Sequence, residues 1–203
     1  MRVLCLNCTL KLSPEPSNTG DLAEHVLAEL RGRGFETETV RVTDHVVDPG
    51  VVSEAVTDRD EWPALHAKVL AADVLIVATP TWLGQPSSVS KRVLERMDAM
   101  LAETKDDDET PVAYGKVAGV VVTGNEDGAH HCIAEICGAL NDIGYTLPGQ
   151  NWTYWNKGPG PGEEEWDSTE ERDWTLTTGR AMASNLAAVA TALQAHPVPA
   201  PPA

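Results

Sequence analysis

Basic residues are scarce: 15 Lys and Arg stand against 31 Asp and Glu in 203 residues, a formal net charge of −16. No basic run exists that could displace phosphate counterions, which excludes a direct nucleic-acid binder. Long apolar runs are missing too. No stretch approaches the roughly 18 continuous apolar residues of a spanning helix, so no membrane association is expected. Met1–Leu12 is only briefly apolar, and Lys11, Pro14 and Glu15 intervene before a signal-type hydrophobic region forms. Cysteine is sparse as well. Four Cys among strongly periodic helices read as reduced thiols of a cytoplasmic protein. Phe occurs once, against 6 Trp and 3 Tyr, so the positions of the few large rings carry information.

What is present has the balance of a globular domain, with 42% hydrophobic residues and 16 Gly. At about 150 residues per domain the length indicates one domain with additions. Arg2–Asn7, Val74–Ala78 and Val117–Val122 are short apolar runs closed by polar or turn-forming residues, the pattern of buried strands. Phe35–Val42 reads as a further strand, and Tyr145–Leu147 as a short edge strand. Helical spacing appears at Leu22, Val26 and Leu30, over Asp60–Ala71, at Val89, Val93, Met97 and Leu101, at Ile133, Ile136 and Leu140, and from Met182 to Leu193.

Strand followed by helix, repeated about five times, predicts an α/β fold: a doubly wound, five-stranded parallel sheet covered by helices on both faces. The domain is expected over 1–195, with an irregular insertion at 148–175 and a disordered Pro-rich tail at 196–203. In such sheets ligands bind beyond the carboxyl ends of the strands. Three loops therefore matter.

The first, Cys8–Gly20, ends in Ser17-Asn18-Thr19 before a helix. Free amides and the positive dipole end attract an anion there, and these side chains can add hydrogen bonds to a phosphate. The same residues also make ordinary N-caps. The second loop, Thr79–Ser90, carries Pro80, Thr81, Trp82, Leu83 and Gly84. Trp82 could stack on a flat ring or simply pack on its neighbours. The third, Thr123-Gly124-Asn125-Glu126, could bind the edge of a heterocycle or form a plain turn. His130 and His131 follow at a helix start, where the dipole favours their neutral forms. They read as neutral polar or partly buried residues, with the rim of a ligand site as the second reading.

Other chemistries lack their residues. No G-x-x-x-x-G-K-[ST], G-x-G-x-x-G or G-x-S-x-G motif occurs. Cys5 and Cys8 would point to opposite faces of a strand, and Cys132 and Cys137 are poorly spaced for a shared metal, so no metal site is expected. No carboxylate ends the first strand, which argues against a phospho-acceptor domain.

Ser13–Thr19 (SPEPSNT), Thr79–Ser88 (TPTWLGQPSS) and Thr123–His131 (TGNEDGAHH) together, in this order and spacing, resemble the flavodoxin-like NADPH-dependent FMN reductase family over roughly Met1–Trp155. The resemblance implies strand order 2-1-3-4-5 and FMN as cofactor, with NAD(P)H as co-substrate. It places Ser17, Asn18 and Thr19 at the phosphate, and Pro80, Thr81, Trp82, Leu83 and Gly84 along the isoalloxazine ring. Thr123, Gly124, Asn125 and Glu126 would complete the pocket. The first loop departs from the family's short Gly-Ser-rich turn.

The implied activity is hydride transfer from NAD(P)H to a quinone, flavin or other small-molecule acceptor, with no catalytic side chain required. A flavodoxin-type electron carrier is the alternative, and a module of this fold without cofactor is a third. The aromatic Trp152–Trp155 patch is expected to lie over the flavin or against a second subunit of a homodimer. The Gly-Pro alternation after it reads as a stiff exposed linker. Twelve of the 31 acids fall in Glu103–Glu109 and Glu163–Asp173, both expected at the surface. The phosphate loop is therefore expected to work through hydroxyls, amides and a helix terminus, without a Lys/Arg clamp.

Overall fold

A computed structural model describes residues 1–106, 109–156 and 172–202. Five parallel strands form the sheet in the order β2-β1-β3-β5-β6: β1 Arg2–Asn7, β2 Glu36–Arg41, β3 Val74–Trp82, β5 Val117–Gly124 and β6 Trp152–Asn156. Strand β4, Gln85–Pro86, is a two-residue antiparallel addition to the end of β3. Counted without that hairpin strand, the order is the expected doubly wound 2-1-3-4-5, and the fold is flavodoxin-like.

The helices are α1 Asn18–Arg31, α2 Trp62–Ala71, α3 Ser88–Met97, α4 Ala129–Ile143 and α5 Arg172–Ala195. Because strand side chains alternate, the central strands feed two cores. Leu4, Leu6, Leu75, Val77, Val120 and Val122 pack with α2, α3 and α4. Val3, Cys5, Ile76, Ala78 and Val121 pack with α1 and α5. Cys5 and Cys8 fall in opposite cores, as the strand period required.

Three expectations change. The edge strand is β6, not Tyr145–Leu147; near the latter, Thr146 makes only an isolated bridge to Val117. Trp152-Thr-Tyr-Trp alternates, with Thr153 and Trp155 buried and Trp152 and Tyr154 half-buried, so the aromatic patch is a strand within the presumed irregular insertion. Helix α5 also begins inside that insertion, ten residues before Met182. Finally, α3 gives way after Met97 to a 3-10 turn over Asp98–Ala102. With three residues per turn, Met100 faces inward and Leu101 is 57% exposed.

The Gly158–Gly162 linker and most of the acidic run after it lie outside the described residues. Pro197–Pro202 has no regular secondary structure.

The outer edge of β6 is closed by side chains. Val120 N–H bonds to Asn151 O, so the intervening carbonyls of Trp152 and Tyr154 point away from β5. Gln150 Nε2 donates to Trp152 O at 3.0 Å, and Thr175 Oγ1 donates to Tyr154 O at 3.0 Å.

One buried ion pair holds the long connection between β2 and α2. Arg96 Nη1 donates to Asp60 Oδ2 at 2.6 Å, and both side chains are fully buried. The remaining guanidinium donors reach the carbonyls of Asp48, Val52 and Glu54, and the cation lies 5.5 Å from the Trp62 ring centroid. Asp60 also accepts from the amides of Asp48, Val56 and Trp62. Sequence reading missed the pair, because a charge on an amphipathic helix ordinarily faces water.

Candidate functional site

The three loops meet at the carboxyl edge of the sheet. Asn7 folds the first loop back over β1: its Nδ2 donates to Ser17 Oγ at 3.3 Å and its Oδ1 accepts from Thr9 N–H. Ser17, in an extended conformation, caps α1 by accepting from Gly20 N–H at 3.0 Å. Cap and phosphate readings do not compete, since the hydroxyl still has its proton to donate. Residues further out are pinned to the segment after β2: Ser13 N–H and Oγ donate to Asp44, and Thr43 Oγ1 donates to Lys11 O.

The second loop is a hairpin rather than an open loop. Strand β3 runs through Pro80 to Trp82, turns at Leu83 (φ 52°) and Gly84 (φ 72°), and returns as β4. Two consecutive positive φ values make the tight two-residue turn that suits strand twist. Trp82 stays 54% exposed and Leu83 90% exposed at the tip. Ser87 joins this loop to the first, donating to Cys8 O at 2.7 Å while its own amide donates to Thr79 Oγ1.

The third loop rests against that hairpin. Gly84 N–H donates to Glu126 Oε1 at 3.4 Å. Gly128 has φ 122°, and a Cβ there would stand 2.6 Å from Gly84 Cα. Thr123 Oγ1 lies 2.6 Å from Thr19 Oγ1, a buried hydroxyl pair linking β5 to the first turn of α1.

Between the loops lies an open cleft of ≈ 700 Å³, its mouth included. Of the expected residues, Ser17, Asn18, Thr19, Pro80, Thr81, Trp82, Thr123, Gly124 and Asn125 line it. Leu83, Gly84 and Glu126 do not; they shape the hairpin and its support. His130 and His131 lie outside it and are exposed, which corrects the partly buried reading. His130 meets the Trp152 and Tyr154 rings edge-on, and His131 Nε2 lies 3.1 Å from Gln85 Oε1.

The cleft gains Thr9, Leu10, Lys11 and Trp155. Lys11 is the one Lys or Arg among the described lining residues. Trp155 lines the cleft although only 2% exposed, and its buried Nε1 has no hydrogen-bond partner among the described residues. Of the Trp152–Trp155 patch expected over the flavin or against a second subunit, Trp155 lines this cleft and Trp152 and Tyr154 do not.

The thiols are held protonated. Burial pushes Cys5 up to about 12 and raises Cys8, Cys132 and Cys137 as well. Cys132 sits behind the hairpin, its Sγ 3.7 Å from Thr81 Oγ1. Nucleophilic cysteine chemistry is not what these environments favour.

A helix terminus, flanking hydroxyls, Lys11 and an exposed indole, on a flavodoxin-like sheet, are groups suited to a flat, phosphorylated ligand. The chain belongs to the NADPH-dependent FMN reductase family, whose model matches residues 1–158.

The 8-demethyl-8-aminoriboflavin-5'-phosphate synthase of Streptomyces davaonensis is 35% identical over 207 residues, covering 97% of this chain and 80% of that protein. The structure of RosB with bound 8-demethyl-8-formylriboflavin-5'-phosphate superposes with a TM-score of 0.86 at 33% identity, covering 98% and 82% of the two chains. A Mycobacterium bovis protein named divalent metal cation transporter MntH is 38% identical over 201 residues. The match takes in 96% of this chain but spans only 29% of that protein's length. Among the described residues no helix is long and apolar enough to cross a membrane.

The cofactor of the family is FMN, and the cleft residues fit it. The helix terminus with Ser17, Asn18, Thr19 and Lys11 suits a phosphate, the Trp82 face suits a tricyclic ring, and Trp155 Nε1 is a donor without an acceptor among the described residues.

Proposed function

We propose that the chain is an FMN-dependent oxidoreductase that takes hydride from NAD(P)H and reduces a quinone, flavin or other small acceptor. The observation that carries this reading is that the phosphate-type donors of α1 and the exposed Trp82 ring border the same cleft. FMN, when bound, supplies a ring that accepts a hydride and gives up its two electrons to an acceptor. The first turn of α1 and Lys11 hold the phosphate, Trp82 covers the ring, and the Thr19–Thr123 pair keeps the two ends of the cleft in register.

No Asp, Glu or His is among the described lining residues. Hydride transfer needs no general acid or base, so this composition suits it better than hydrolysis.

Purified protein is expected to carry, or to titrate with, visible flavin absorption, and anaerobic NADPH or NADH is expected to bleach it. Absence of flavin binding overturns the reading; binding without bleaching turns it towards an electron carrier. A second reading is favoured by the aminoriboflavin-phosphate synthase and RosB: the bound flavin phosphate could itself be the substrate. Mass analysis of the flavin recovered after turnover separates the two, since a cofactor returns unchanged.

Trp82→Ala is expected to weaken FMN binding by ~1–3 kcal/mol, the usual worth of one stacked aromatic face. An unchanged dissociation constant in a fluorescence titration would make Trp82 a packing residue. Cytoplasmic location and a homodimer complete the proposal; gel filtration returning only a monomer removes the dimer.

A further inference from the structure

Trp155 stands on β6 in register with Thr123 of β5. Thr123 in turn touches Thr19, the second residue of α1, hydroxyl to hydroxyl. The indole thus borders the part of the cleft that the α1 N-terminus dominates, and β5 separates it from β3, the strand ending in Trp82. An indole N–H can only donate. Leaving such a donor buried without an acceptor is uncommon and costly, so an unpaired one in a native fold calls for a reason. Here the ring lines the cleft, is 2% exposed, and its Nε1 is unpartnered among the described residues.

We propose that Trp155 Nε1–H donates to a phosphate oxygen of the bound flavin, which makes Trp155 a determinant of selectivity for flavin 5'-phosphates over unphosphorylated flavins. The assignment rests on the reading of the cleft as an FMN site and deepens it. The α1 amides attract any anion, and Lys11, on an exposed loop, can follow the phosphate as it moves. A donor on a strand, its ring packed into the core beneath α1 and α5, is fixed in direction and discriminates by geometry.

The test is Trp155→Phe, which removes the N–H and keeps a ring in the core. The FMN dissociation constant is expected to rise roughly 10- to 100-fold, the usual worth of a hydrogen bond to a charged group. Riboflavin affinity is expected to stay within about twofold. In a ¹H–¹⁵N spectrum of the unaltered protein, the indole peak missing from Trp155→Phe is expected to shift with FMN and with inorganic phosphate, and not with riboflavin. Equal losses for FMN and riboflavin would place the contact on the ribityl chain or ring and overturn the assignment, as would a silent indole peak. If the unaltered protein binds FMN normally and Trp155→Phe binds it equally well, this assignment alone fails. If the unaltered protein binds neither flavin, the FMN reading fails and takes the assignment with it.

Discussion

Asp60→Ala is expected to lower unfolding free energy by about 3–5 kcal/mol, because it strands Arg96 as a buried cation without its counter-charge. Three backbone carbonyls would still accept from the guanidinium, but neutral acceptors do not replace a carboxylate. Four segments lose their common anchor at once, since Asp60 also receives the amides of Asp48, Val56 and Trp62. Urea denaturation gives the measurement, and a loss below about 1 kcal/mol would show that water can enter and solvate Arg96.

The same carboxylate predicts a pH dependence. Burial pushes its pKa upward, but the Val56 amide, Arg96 and the amides of Trp62 and Asp48 outweigh burial and hold it at about 2, below its ordinary 3.8. A folded-state pKa lowered in this way contributes stability that is present above pH 3.8 and lost as pH falls towards 2. Asp60→Asn should flatten that part of the acid-stability profile; an unchanged slope from pH 4 to 2 would assign the acid limb to other carboxylates.

Gly128→Ala is expected to cost at least tenfold in FMN affinity together with a drop in Tm. The φ of 122° is unfavourable for any L side chain, at about 1–3 kcal/mol. The added Cβ would also sit 2.6 Å from Gly84 Cα, so the hairpin bearing Trp82 must move aside. Gly138→Ala is the control. It lies within α4 with nothing within 4 Å of a new Cβ, and should stabilise by about 0.5–1 kcal/mol through helix propensity. Titration of both variants with FMN separates displacement of the hairpin from a general response of α4. Equal, wild-type affinities would mean that the Gly84–Gly128 contact does not position the ring-binding hairpin.

The sheet was legible wherever both faces of a strand are buried. Arg2–Asn7, Val74–Ala78 and Val117–Val122 stand out as unbroken apolar runs because each feeds two cores. Strand β6 was not read, although Trp152-Thr-Tyr-Trp alternates faithfully, because four residues with two Trp look like a patch when the partner strand is unknown. Most of the cleft was legible from Thr81, Trp82 and Thr123, whose positions follow from strand ends, and from Ser17 at the start of a helix. Lys11 was not, because its carbonyl is held by Thr43 Oγ1, 32 residues away in the chain. Asp60 and Arg96 were hidden for the same reason: complementary charges 36 residues apart carry no local pattern.

The closed rim of β6 limits how molecules of this protein can meet. A strand from another chain would need the outward carbonyls of Trp152 and Tyr154 as acceptors, and Gln150 and Thr175 already occupy them. A strand adding at this border would have to displace or share those two donors, which guards against edge-to-edge aggregation. Among the described residues, the half-buried rings of Trp152 and Tyr154 with exposed Trp174 offer side-chain contacts on this side instead.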